Sequence, residues 1–91
     1  MSALQVAEPV ALWTAKGLPA RLVWHGIRYL VTDTPTPLRG DSVAHEALTH
    51  PPQRLLGWRF QGTSTTDPAD VRVFDVHRVD GERWELIATY E

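Results

Sequence analysis

The chain contains no cysteine, which excludes a disulfide scaffold and every thiolate metal site. No apolar run approaches the roughly 18 residues that a membrane-spanning helix needs. Met1 to Val10 has no basic segment ahead of an apolar stretch, so it reads as neither a secretory signal nor an anchor. A cytoplasmic protein without a membrane partner is expected. An excess of either charge is also lacking: the net charge is −2, so no global basic field draws a polyanion and no acidic tail is present. Lysine occurs once among nine basic residues, a bias that a GC-rich genome explains. There is no glycine-rich phosphate loop and no nucleophile-elbow context around any serine.

What the chain does have is tryptophan, four residues in 91, and runs of alternating apolar side chains. A chain of this length forms a single domain, 1–91, with one modest core. Its most informative stretch is Ala20 to Val31, two alternating runs joined by His25-Gly26. With those two residues as a hairpin loop, Trp24 faces Ile27, Leu22 faces Tyr29 and Ala20 faces Val31, all on one side of the ribbon. Arg21, Val23, Arg28 and Leu30 take the other side. The loop needs positive φ, which glycine adopts freely and histidine tolerates better than most residues. A one-residue slip would place Arg21 and Arg28 in the core, so the register is strongly specified.

The flanking segments read as further strands. Met1 to Ala7 is expected to fray, and Val10 to Ala15 to form a first strand turning at Lys16-Gly17. That turn sets Trp13 against Ala20 and Ala11 against Leu22, on the face the central hairpin already makes apolar. Pro19, which cannot donate to a ladder, is assigned to a strand start. Thr34 to Pro37 is extended by its prolines. Asp41 or Ser42 then caps a short helix over Val43 to Leu48, stopped by Pro51-Pro52. Leu55 to Gln61 forms a strand with Leu56, Trp58 and Phe60 on one face, and Gly62 to Asp70 a polar loop. Val71 to Arg78 and Glu82 to Tyr90 complete the pattern. A three-residue loop at Val79-Asp80-Gly81 groups Phe74, Val76, Trp84, Leu86 and Ala88; a two-residue Asp80-Gly81 turn is the rival. The expected fold is mainly β (α+β): two three-stranded antiparallel meanders forming a small barrel or a curled sheet, with one short helix in the connection.

Catalytic signals are weak. His45 and His50 flank Glu46, but a zinc-protease helix needs its histidines four apart. Here they are five apart, about 140° round the helix, so no metal site is assigned. Asp75, Glu82 and Glu85 can approach across the last hairpin, where pairing such as Arg78 with Glu82 explains them. No catalytic residue, cofactor or metal is assigned, and the chain is not expected to be an enzyme. The expected role is binding. The candidate surface is Arg21, Arg28 and Arg59 with Trp58, and the expected partner is another protein, met at an exposed strand edge or at the Trp58 and Phe60 region. The alternative is a single-stranded nucleic-acid-binding β-barrel, which would use those arginines beside stacking rings. Arg72 and Arg78 lie on later strands as further basic positions. An unpaired edge would also allow a homodimer.

The run Leu22 to Val31, the Val31-Thr32-Asp33-Thr34-Pro35-Thr36-Pro37 segment behind it and the closing Trp84-Glu85-Leu86 resemble a family of small actinobacterial domains of unknown function. That family carries an aromatic-x-Trp-x-Gly-x-x-Tyr-x-Val core, matched chiefly at Trp24, Gly26 and Tyr29. Its members are sometimes encoded near translesion-polymerase genes, so the resemblance implies an accessory role in DNA damage tolerance. It implies no catalytic residues. The sequence departs from the pattern at Leu38, where a tryptophan is expected.

Overall fold

The computed structural model describes residues 3–40, 54–81 and 83–91. It contains seven strands: β1 (Ala3–Ala15), β2 (Leu18–Trp24), β3 (Ile27–Val31), β4 (Thr36–Gly40), β5 (Arg54–Ser64), β6 (Val71–Asp80) and β7 (Arg83–Tyr90). The two expected meanders are present as β1-β2-β3 and β5-β6-β7. Pairing of β1 with β7 and of β3 with β5 closes them into a six-stranded antiparallel barrel. The expected helix over Val43 to Leu48 lies outside the described residues.

The central hairpin forms in the expected register, with Trp24 opposite Ile27 and Leu22 opposite Tyr29; its ladder ends at Arg21 and Leu30, one step short of Ala20 and Val31. His25 and Gly26 both have positive φ, 54° and 76°, the conformation whose twist suits a two-residue β-turn. Leu22, Trp24 and Tyr29 are buried, while Arg21, Arg28 and Leu30 are exposed. These three buried residues join Phe60, Phe74, Val76 and Leu86 in one core, with Val6, Val10 and Leu12 packed against it. Phe74 is central to it: its ring lies 4.9 Å from Tyr29, 5.8 Å from Phe60 and 6.0 Å from Trp24, edge-on to the first and last. Each large apolar side chain so buried stabilises the fold by roughly 1.5–3 kcal/mol.

Bulges decide the departures from expectation. The Lys16-Gly17 turn forms, but between Trp13 and Thr14 the register shifts, leaving Ala20 as the extra residue beside Pro19. Trp13 therefore pairs with Arg21 and Leu12 with Leu22, correcting the expected pairs Trp13–Ala20 and Ala11–Leu22. A proline supplies no ladder donor, so a bulge is the natural accommodation. At the other end of β1, Ala3–Ala7 is strand rather than a frayed start, because β7 offers it a ladder from Tyr90 to Ala88. Another shift, between Asp75 and Val76, leaves Ile87 unpaired and turns Ala88 toward Asp75 on the outer wall, while Thr89 pairs with Phe74. Ala88 is buried yet absent from the core cluster in which it was expected.

The last hairpin follows neither loop considered. Asp80 pairs with Arg83, and a bulge at Val79 restores the alignment of Val76 with Leu86. Gly81 still takes positive φ, 49°. The Thr34–Pro37 segment leads into a strand of its own, β4, and β5 runs three residues past Gln61 into the expected loop. β3 and β4 occupy successive stretches of one side of β5. The break between them is bridged by Thr32 and Asp33, which bond the backbone of Gln61 at 2.8 Å each.

Gly57 marks the tightest place in the sheet. A Cβ there would sit 1.8 Å from the Val76 carbonyl oxygen, and neither backbone can yield without opening the β5–β6 ladder. Gly57→Ala is therefore expected to cost about 3 kcal/mol and to lower Tm by roughly 10 °C or more. A thermal melt that leaves Tm unchanged contradicts this packing.

Candidate functional site

The two ends of the barrel differ in how their polar groups are satisfied. At the end carrying the His25-Gly26 turn, Glu8 projects from β1 and accepts the Trp24 indole N–H at 2.8 Å and a His25 ring nitrogen at 3.1 Å. The His25 ring stacks on Trp24 at 4.1 Å, and the Arg72 guanidinium lies over the same indole at 5.5 Å. Arg72 donates to Asp70 at 2.9 Å and to Glu91 at 3.4 Å, and the Tyr29 hydroxyl donates to Asp70 at 2.9 Å. Ser64 accepts from the backbones of Thr66 and Asp67, fixing the loop that carries Asp70. These charges satisfy one another and seal that end.

Burial, then the bond to Asp70 and its charge, raises the Tyr29 phenol above its ordinary value of 10.0. Burial works against the charged form of Arg72, but the bond and charge of Asp70 outweigh it and the net displacement is upward.

The outer wall holds a second network. Arg59 grips the buried Asp75 with two bonds, Nε to Oδ1 at 2.7 Å and Nη2 to Oδ2 at 2.8 Å, while the Tyr90 hydroxyl donates to Oδ2 at 3.0 Å. The bond and the charge of Asp75 raise the Arg59 pKa far above its ordinary value.

The opposite end is open. A cavity of about 640 Å³ is lined there by Leu12 and Trp13 of β1, Leu56 and Trp58 of β5, Arg78 of β6 and Trp84 of β7, among others. Trp58 and Trp84 point inward in phase with Phe60 and Leu86 and are half-buried. Trp13, released by its bulge, stands at the rim with Arg21 over its ring at 4.8 Å, and Arg78 lies over Trp84 at 5.9 Å. Four of the six exposed large apolar residues of the described chain belong to this end: Trp13, Leu18, Leu55 and Val79, each 41–50% exposed. Leu18 and Val79 neighbour the lining residues Gly17 and Arg78 in sequence, and Leu55 is itself in the lining.

The candidate residues read from sequence are therefore divided. Trp58 lines the cavity and Arg21 stands beside it, whereas Arg59 is engaged by Asp75 on the outer wall and Arg28 lies on the outer face of β3 opposite Val23. Arg78, noted from sequence only as a further basic position, lines the cavity; Trp13, Trp84 and the aliphatic rim escaped that reading. Their common position was legible in one respect, since all lie near the Lys16-Gly17 and Gly81 turns or at the start of β5, which a closed pair of meanders brings to one end. His45, Glu46, His50 and Glu82 lie outside the described residues. Among the described residues no three His, Asp or Glu side chains are grouped to hold a metal ion, and no helix is long and apolar enough to cross a membrane.

Compared with protein-family models, with curated proteins and with solved structures, the chain matches none.

Two outcomes test these networks. The raised Tyr29 value favours the protonated phenol in the folded state, so its contribution is complete below about pH 10 and is lost as pH climbs through the folded value. Urea midpoints are expected to fall on that alkaline side, and Tyr29→Phe to flatten the fall; an equal slope in both proteins contradicts the assignment. Arg59→Leu leaves Asp75 buried without its cation. Because Arg59 is half exposed and solvent screens the pair, the expected cost is about 1–2 kcal/mol, read by chemical denaturation.

Proposed function

We propose that the chain is a non-enzymatic protein-interaction module that docks through the open end of its barrel. The observation that carries this reading is the coincidence of a cavity with most of the exposed large apolar side chains at one end. A cavity of this size lies within the range of ligand clefts, about 300–1,000 Å³, and an apolar rim of this kind is what a partner covers. Strand-edge docking is less well supported. Closure leaves β4 paired on one side only among the described residues, and that edge strand is only five residues long and carries Pro37, both of which blunt edge pairing.

Binding of single-stranded nucleic acid is the second reading, favoured by two arginine-on-tryptophan pairs at the open end, Arg21 with Trp13 and Arg78 with Trp84. Against it stand the aliphatic rim of Leu18, Leu55 and Val79 and the net charge of −2. An accessory role in DNA damage tolerance, implied by the family resemblance, fits docking rather than chemistry, and we place the protein in the cytoplasm.

Affinity capture from native lysate tests the choice. The full chain is expected to retain a protein partner after nuclease treatment, to lose it with Leu55→Glu or Val79→Glu, and to keep it with Leu30→Glu on the outer wall. Loss on nuclease treatment alone, or equal loss with Leu30→Glu, overturns the reading.

A further inference from the structure

We propose that the open end takes an acidic segment of the partner, with an apolar side chain in the cavity and a carboxylate on Arg78. This rests on the docking reading above and adds the chemistry of the occupant.

The argument lies in how the charges are distributed. Of the described carboxylates, Glu8, Asp70, Asp75 and Glu91 are paired at the sealed end or on the outer wall with His25, Arg72 and Arg59. Asp33 and Asp67 accept from backbone N–H groups of Gln61 and Ala69, and Glu85 pairs in register with His77 on β6. At the open end the balance reverses. Lys16, Arg21 and Arg78 make no ion pair among the described residues, and Arg83 has only the exposed Asp80 at 3.3 Å. Among the described residues, cations thus outnumber carboxylates around this opening, in a chain of net charge −2.

Arg78 is the best placed of these cations. Val76 and Phe74 precede it at alternate positions on β6 and point into the core, and Arg78 continues that face into the cavity lining. Its Nε donates to the Gly81 carbonyl at 2.7 Å and its guanidinium lies over Trp84. The group is therefore held in place, with its two terminal nitrogens unbonded among the described residues. A guanidinium fixed over a ring, with no anion among the described residues, is a ready carboxylate acceptor site. Phosphate could meet the same fork. The aliphatic rim beside it matches leucine, isoleucine or phenylalanine side chains and offers nothing to a sugar-phosphate backbone, so the acidic peptide is favoured.

Selection of random dodecapeptides displayed on phage against the immobilised full chain tests this directly. Enriched sequences are expected to place Asp or Glu next to a large apolar residue. A selected peptide, titrated by tryptophan fluorescence, is expected to bind about tenfold more weakly once its acids are changed to amides. Arg78→Gln is expected to remove that difference. The amide peptide keeps the test valid even if Arg78→Gln folds poorly, since it alters only the ligand. Enrichment of neutral or basic sequences, or equal affinity of acid and amide peptides, overturns the inference and leaves apolar docking in place. If no peptide is enriched, both the inference and the docking reading fall; salt-sensitive binding of oligothymidylate in that case favours the nucleic-acid alternative.

Discussion

The ring of Phe74 joins the two halves of this molecule. It meets Trp24 and Tyr29 from the first meander and Phe60 from the second, at centroid distances of 4.9 to 6.0 Å. Tilted and edge-on contacts at such distances add to the area each ring buries. The short β3–β5 ladder that closes the barrel comprises Tyr29–Ser64, Leu30–Thr63 and Val31–Gly62, and it runs beside this cluster. Gly62 belongs to the same arrangement, since a Cβ there would lie 3.0 Å from the Phe74 ring and 3.1 Å from Tyr29. Aromatic packing and strand closure are thus two aspects of one constraint.

Concentrating the rings in one half of the barrel has a consequence for the other half. Phe74, Phe60, Tyr29 and Trp24 fill the end near the His25 turn, and the ion-pair network of Glu8, Asp70 and Arg72 closes over them. The opposite half is left to Leu12, Leu56, Trp58 and Trp84, which line a cavity. Among the described residues most of the paired carboxylates gather at the sealed end and the outer wall, while Lys16, Arg21 and Arg78 stand without an ion pair at the open one. The docking site proposed above, with apolar walls and a cationic rim, rests on that asymmetry.

Bulges produce the rest. Side-chain direction alternates with period two, so a single extra residue moves everything beyond it to the opposite face. The shift between Trp13 and Thr14 takes an indole from its expected place in the core and sets it on the rim under Arg21. The shift opposite Ile87 turns Ala88 out of the core and brings Thr89 in. These are local changes, yet they decide which tryptophan stands exposed.

Local pattern by itself determined the Trp24–Ile27 hairpin, its buried face of Leu22, Trp24 and Tyr29, the Lys16-Gly17 reversal and the grouping into two meanders. Each depends on alternation and turn chemistry between residues close in the chain, where one register is far better than its neighbours. Tertiary structure alone decided that the sheet closes, that Ala3–Ala7 finds a ladder on β7, that β4 exists, and that Arg59 is occupied by Asp75. Those outcomes rest on pairings between distant segments and on where each bulge falls. Both are set by the fit of the whole barrel around Phe74, which the alternation of any single strand does not encode.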